Sequence, residues 1–532
     1  MGSYINPGNE GFANITAGKY VDKTGLIELI NQTLGTSDKL TCVSRPRRFG
    51  KSFCAKMLSA YYDKSCDSHI LFDGLKISGS DSYKKYINCF NVVYLDITDF
   101  ISKSQSIDDI VNEIKTALLK ELSAMYAGID VDGGIGEAFL TACGHNEEKF
   151  FFVIDEWDAL FREFPDRQEL LKKYINLLRE LFKNGNITDR IMSGAYMTGI
   201  LPIKKYGTQS AVSDFLEYTM TSPGDFAEYI GFTEDEVREL CDKYGMSFED
   251  ARKWYDGYRF DRVGSVYNPN SLMTAIKKKR FANYWGKTES YESIIPYIEM
   301  DYDGLRQDII SLLGSGKVTT DIDSYQNDMT TINNKDDVLT LLVHLGYLGY
   351  SADDNTVYIP NEEADRELLR AVKGSSRKEV ISLINQSENL LQSTLNGDGK
   401  AVADIISKIH ETGVAPLYYN DEQSLRYVIR FAYLAAVDEY VRIEELPSGH
   451  GYADVVFIPK KGSAKPAMLI EIKWDEPVDS AIDQIKDRNY PRVLEELGSD
   501  FLIVGITYYT GTKEHECIIE KQIRSVTPEQ IY

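Results

Sequence analysis

The sequence predicts an α/β protein with a phosphate-binding parallel-sheet domain, a mostly helical middle region and a second α/β domain at its C-terminal end. Three observations carry this. Short apolar strands alternate with helical stretches up to about residue 215, the pattern of a parallel sheet. The segment Arg45-Pro46-Arg47-Arg48-Phe49-Gly50-Lys51-Ser52 follows one such strand and opens a helical stretch, which is the setting of a phosphate loop. Beyond about residue 400, helices give way to strands that carry Asp454, Glu471 and Lys473.

A chain of 532 residues exceeds one hydrophobic core. Domains are expected at 1–215, 216–400 and 401–532. No apolar run approaches a bilayer span, and no basic-then-apolar leader opens the chain. The seven cysteines never fall at CxxC spacing and the six histidines are dispersed. Reduced thiols in a cytoplasmic protein, with no zinc site and no membrane contact, are therefore expected. The net charge of −23 argues against a surface coated for nucleic acid. Any such contact has to come from a local basic surface.

Within the first region the strand candidates are Leu40–Val43, Val92–Leu95, Phe150–Ile154 and Ala195–Met197. In the second, Thr233 and Glu236 form a capping box at a helix start. A helix over Val338–Leu345 runs into Gly346–Tyr350, a polar turn at Asp353–Asn355 and Val357–Pro360. This reads either as a winged helix or as a helical lid. Asn396-Gly397-Asp398-Gly399-Lys400 reads as a linker.

The phosphate loop sets the chemistry. Amides at a helix start, with the helix dipole, favour phosphate oxygens. Arg45 to Phe53 would cradle ATP, with Lys51 reaching the β- and γ-phosphates and the Ser52 hydroxyl holding Mg2+. Phe53, Cys54, Met57, Leu58 and Tyr61 would form the buried stripe of the following helix. The strand Phe150–Ile154 ends in two acids. Asp155 would hold magnesium and Glu156 would polarise the attacking water. Thr198, at another strand end, could sense the γ-phosphate. The general loop pattern has glycine where Arg45 stands.

Tyr20-Val21-Asp22-Lys23-Thr24, Arg45 to Ser52 and Ile154-Asp155-Glu156-Trp157-Asp158 together resemble the AAA-ATPase-like family of bacterial proteins. Trp254-Tyr255-Asp256-Gly257-Tyr258, Tyr267-Asn268-Pro269 and Tyr284-Trp285 extend the likeness. The resemblance implies an AAA-type sheet, makes Arg45 a family feature and puts Tyr20 to Thr24 near the nucleotide. The Trp254–Tyr258 segment reads as packing. The resemblance also implies a C-terminal restriction-endonuclease-like domain of the PD-(D/E)XK nuclease superfamily.

The C-terminal strands bear on that implication. Val455, Phe457, Ile470 and Ile472 alternate with Asp454, Glu471 and Lys473, so a hairpin would gather the polar set on one face. Two carboxylates and a lysine suit magnesium-assisted phosphodiester hydrolysis. The superfamily pattern matches at Asp454, Glu471 and Lys473, and it points further to Gln484, Tyr490 and an upstream acid, Glu422, with Glu444 or Glu445 as rivals. Residues 401–532 hold 14 Lys and Arg against 22 Asp and Glu, an unusual balance for a DNA-processing domain. Lys277-Lys278-Lys279-Arg280 is the basic segment available to compensate. The expected partners are ATP and nucleic acid, DNA favoured. The alternative is a nucleotide-controlled switch or scaffold that cuts nothing. Oligomeric state does not follow from the sequence.

Overall fold

The computed structural model describes residues 2–532 except 147, 184, 204, 207–208, 211, 213, 261, 286–290, 301, 303, 314–315, 326–331, 375–377, 414–424, 427, 430–431, 434, 437–438, 449–450, 460–464, 488–499 and 523–532. The chain divides into two compact units. One is Met1–Glu289 with Thr319–Glu367, and the other is Ser290–Val318 with Leu368–Tyr532. The middle region is thus shared between them instead of forming a third unit.

The first unit is built on five parallel strands: β1 Leu40–Ser44, β2 Asn91–Asp96, β3 Phe150–Asp155, β4 Met192–Gly199 and β5 Leu216–Tyr218. Their order is β2-β3-β4-β1-β5, and every adjacent pair is parallel. All residues of β1, β3 and β4 are buried, as expected of a sheet whose two faces are both covered. Parallel strands bring their carboxyl ends to one edge. The loop after β1 and the acids ending β3 therefore share that edge, with β4 between them. Helix α1, Lys51–Tyr62, packs over β2, β3 and β4. Helix α2, Ala159–Glu163, follows the acids directly.

A small antiparallel sheet, β6 Phe232–Thr233, β7 Tyr258–Phe260 and β8 Gly264–Tyr267, has the order β6-β8-β7. Helix α3, Glu234–Tyr244, starts on the expected capping box. The Glu236 amide donates to Thr233 Oγ1 at 3.4 Å and the Thr233 amide donates to Glu236 Oε2 at 2.9 Å. Helix α4, Phe248–Tyr255, ends at Asp256-Gly257. Gly257 has φ +107°, and a Cβ there would lie 2.0 Å from the Pro360 carbonyl oxygen. Tyr358 Oη donates to the Gly257 carbonyl at 2.8 Å, and Asn361 Nδ2 donates to that of Asp256 at 2.7 Å. The Trp254–Tyr258 segment therefore packs, with Tyr255 and Tyr258 buried.

Helix α5 is Pro269–Lys278. Helix α6, Lys335–Leu345, leads through Gly346 into a hairpin of β9 Gly349–Ser351 and β10 Thr356–Tyr358. Gly346, at φ +89°, lets the turn lie on the phosphate loop. A Cβ there would approach Pro46 to 2.8 Å and Trp285 to 2.9 Å. Tyr258 Oη donates to the Gly346 carbonyl at 2.6 Å.

Glu363 clamps this region. It accepts the amides of Tyr284 at 2.6 Å and Trp285 at 2.9 Å. Burial pushes its carboxyl up to about 7, against the pull of Ser271 and these amides. An unfolded glutamate titrates near 4.3, so the folded state holds the proton more tightly. The stabilising protonated form is complete below about pH 4 and lost as pH rises to about 7. Glu363→Gln should therefore melt higher than wild type at pH 8, by a stability of roughly 1–3 kcal/mol, with the gap closing by about pH 4. Thermal unfolding at both values checks this, and a gap independent of pH refutes it.

In the second unit, helices α7 Lys378–Leu395 and α8 Gly399–Gly413 pack on each other. Residues 396–400 are expected as an interdomain linker, but 396–398 form the turn between these helices and Gly399 and Lys400 open α8. Gly397 at φ +76° reverses the chain there. Five strands, β11 Tyr440–Ser448, β12 Gly451–Pro459, β13 Ala467–Trp474, β14 Phe501–Tyr509 and β15 Glu514–Gln522, form one sheet in that order. Only β13 and β14 pair in parallel. Helix α9, Val478–Asp487, lies on β13 and β14 through Ile482 and Ile485. Among the described residues no helix is long and apolar enough to cross a membrane.

Candidate functional site

Arg47 to Cys54 line a cavity of about 1000 Å³ at the carboxyl edge of the parallel sheet. Arg48 at φ +70° and Gly50 at φ +95° turn the chain sharply into α1, whose first amides have no partner within the helix. Lys51 is buried. Its Nζ donates to the Pro46 carbonyl at 3.0 Å and lies 3.7 Å from Glu156 Oε1. Asp155 is buried beside the Ser52 hydroxyl and receives Tyr94 Oη at 3.3 Å. Burial pushes its carboxyl up to about 6, against the Ser52 hydrogen bond and Lys51. A buried carboxylate short of positive charge, next to a hydroxyl, is a donor set that suits a hard dication. Burial also acts to raise Glu156, but Lys51, Arg162 and Arg47 outweigh it and hold that carboxyl below its ordinary value.

Three expected nucleotide contacts are corrected. Arg45 is fully buried and does not line the cavity. Its NH1 donates to the carbonyls of Ser44, Tyr218 and Thr219, at 2.9, 3.1 and 2.9 Å, and Phe260 lies beneath the guanidinium. It is a strut between β1 and β5. Pro46 gives its carbonyl to Lys51 and its ring to the Gly346 turn. Thr198 is fully buried in β4, and its hydroxyl donates to the Val43 carbonyl at 2.9 Å. Its proton is used inside the sheet and does not face the loop. Phe53 also leaves the expected buried stripe. It is 54% exposed and stands at the cavity, while Cys54, Met57, Leu58 and Tyr61 are buried.

Further residues reach the cavity, Asp96 and Thr98 outside the sequence reading and Tyr20, Val21 and Lys23 within the segment that the resemblance puts near the nucleotide. Asp96 lies opposite Asp155 in register. The rule that found Asp155, an acid closing an apolar strand, would have found Asp96 too. Lys23 Nζ donates to Glu236 Oε2 and to the Glu228 carbonyl, both at 2.6 Å. This ties the Tyr20–Thr24 segment to the cap of α3. Lys277 lines the same cavity, Lys278 lies over the Tyr284 ring, and Lys279 donates to the Tyr244 carbonyl. These three lysines are used within the first unit.

In the second unit Glu471, Lys473 and Gln484 come together, with Asp454 on the neighbouring strand. Antiparallel pairing of β12 with β13 runs from Phe457↔Met468 to Val455↔Ile470, and Asp454 and Glu471 are the next residue on each strand. Asp454 Oδ2 accepts the Ile472 amide at 2.9 Å, and Arg426 pairs with its other oxygen. Gln484, from α9, donates to Glu471 and accepts from Lys473 Nζ at 2.6 Å. Lys473 stands 3.8 Å from Glu471 Oε1. Asp454 and Glu471 are nearly inaccessible, at 7% and 2% exposure. Glu422 and Tyr490 lie outside the described residues, as do the side chains of Glu444 and Glu445. Among the described residues, no three His, Cys, Asp or Glu side chains converge as a metal site.

Residues 8–208 match the family model described as a predicted AAA-ATPase, AAA-ATPase-like. The first unit thus carries an AAA-ATPase-like domain. The chain is 23% identical, over 94% of its length and 95% of the other, to an uncharacterized protein in the vnfD 5' region of Azotobacter chroococcum mcd 1. Among solved structures it is similar to the Walker-type ATPase of Pyrococcus abyssi, at 11% identity and a TM-score of 0.33, over 65% of this chain and 94% of that one. It is also similar to the ORC2 protein of Aeropyrum pernix in ADPNP–ADP complexes, at 13% identity and a TM-score of 0.30, over 66% and 95%.

Proposed function

We propose that the chain, with its AAA-ATPase-like domain at residues 8–208, binds ATP with magnesium and hydrolyses it. The observation that carries this is that Lys51, Ser52 and Glu156 line one cavity, with Asp155 buried behind Ser52 and hydrogen-bonded to it. Lys51 and the α1 amides would hold the phosphates, and Ser52 and Asp155 would hold magnesium. Magnesium, when bound, supplies charge neutralisation at the β- and γ-phosphates. Glu156 accepts the proton of the attacking water.

For the second unit we propose a phosphodiesterase site acting on nucleic acid, DNA favoured, controlled by the ATPase. Glu471, Lys473 and Gln484 joined in one hydrogen-bonded set, with Asp454 bound to the Ile472 amide next to Glu471, support it. The carboxylates would hold magnesium, which activates water when bound. Lys473 would neutralise charge at the scissile phosphate. One observation favours a second reading, a nucleotide-controlled switch without cleavage. Arg426 and Gln484 already engage the two carboxylates.

A magnesium-dependent assay on single- and double-stranded DNA, with and without ATP, separates the two. The nuclease reading expects cleavage that Lys473→Ala lowers by about 100-fold or more. Cleavage unchanged in that variant removes this site as its source, and no cleavage on either substrate favours the switch. ATP turnover in the same samples tests the first unit separately.

A further inference from the structure

The chain turns sharply where it leaves β3. Glu156 sits at φ +51°, a region that side chains with a Cβ rarely enter. The turn directs its carboxylate toward Lys51, at 3.7 Å, and onto Arg162 of α2, whose NH2 donates to Oε2 at 2.5 Å. The same guanidinium donates through Nε to Asp158 Oδ2 at 3.0 Å.

Asp158 is itself fixed. It is fully buried, and the same Oδ2 accepts the amides of Ile200 and Leu201, at 3.1 and 2.8 Å. Gly199 makes room for this, since a Cβ there would stand 2.4 Å from Asp158 Oδ1. A rigid line therefore runs from the end of β4 through Asp158 and Arg162 to Glu156. Arg162 is 7% exposed, and it lines the cavity. A guanidinium can serve two carboxylates at once through a planar fork, which an ammonium cannot do with the same geometry.

We propose that Arg162 is the positioning residue for the Glu156 base, holding its carboxylate beside Lys51 by bracing it against the end of β4. The role rests on the ATP-hydrolysis reading. Proton acceptance by Glu156 demands an aimed oxygen, and displacement by about an ångström lowers turnover on the order of 100-fold.

The test uses the full chain, ATP turnover and binding of a non-hydrolysable ATP analogue. Arg162→Gln should lower kcat on the order of 100-fold and leave analogue affinity within about twofold, because Lys51 and the loop amides remain. Arg162→Lys should recover part of the rate. In a Glu156→Gln background, Arg162→Gln should cost nothing more, since a residue acting through Glu156 has nothing left to position. Should Arg162→Gln fail to fold, Arg162→Lys carries the same test alone and in the Glu156→Gln background, as a partial loss in the first case and none in the second. Unchanged kcat, equal loss of analogue binding, or full additivity with Glu156→Gln overturns the proposal while ATP hydrolysis stands. A wild-type chain that binds the analogue without turning ATP over overturns both.

Discussion

Lys51→Ala is expected to weaken ATP binding by about two orders of magnitude while the protein stays folded. The ammonium is nearly inaccessible, and its partners within the chain are one carbonyl at 3.0 Å and Glu156 at 3.7 Å. Phosphate oxygens would replace these weaker contacts, and a charge-assisted bond in a shielded site contributes roughly 1.5–3 kcal/mol. At about 1.4 kcal/mol per tenfold, that is one to two decades of affinity, and loss of the attraction between charges adds to it. The fold survives because Glu156 keeps Arg162 and the truncated side chain leaves no buried charge unpaired. Calorimetric titration with ATP, beside a thermal melt, reads both quantities. Wild-type affinity in a folded Lys51→Ala chain removes the phosphate-loop reading.

Gly257→Ala carries the largest expected loss of stability. Two effects add. The φ of +107° is open to glycine alone at little cost, and a side chain held there costs about 1–3 kcal/mol. The added methyl also meets backbone, at 2.0 Å from the Pro360 oxygen and 2.6 Å from its carbon. Backbone cannot swing aside as a side-chain tip does, and such overpacking costs about 1–3 kcal/mol more. The sum, about 2–6 kcal/mol, corresponds to a melting point lower by roughly 10 °C. Gly245→Ala is the control. Its φ is +62° and nothing lies within 4 Å of the new methyl, so conformational strain alone applies. If the two variants melt together, the close approach of Pro360 is not what Gly257 serves.

Four strands of the first unit's sheet are legible in the sequence because they are largely buried on both faces, whereas β5, exposed or half-buried along its length, is not. Leu40, Val92, Phe150 and Ala195 all begin or lie in runs with no polar alternation to confuse with a helix. The candidate sites were legible to different degrees. Lys51, Asp155 and Glu156 follow from chain direction alone, since a parallel sheet puts loop and acids on one edge. Arg45 and Thr198 were misplaced because adjacency in sequence does not say which side of the edge a side chain takes. Asn396–Lys400 misled for a related reason, as glycine and aspartate mark a turn between packed helices as readily as a linker. Arg162 left no usable signal. An Asp–Arg pair four apart is ordinary on exposed helices, and only burial distinguishes this one. Asp454, Glu471 and Lys473 were found because strict alternation in β12 and β13 fixes their face.

The interleaving of the two units limits how the chain can be shortened. It passes from one to the other at 289/290, at 318/319 and again at 367/368, so no single cut yields either unit whole. A truncation after Glu289 would strip away the Gly346 turn that lies on Pro46, and with it Pro360, against which Gly257 is fitted. Such a fragment would keep every residue of the family match at 8–208 and still expose apolar surface at the start of its phosphate loop. Limited proteolysis within 290–318 is therefore expected to leave two pieces that copurify until denatured.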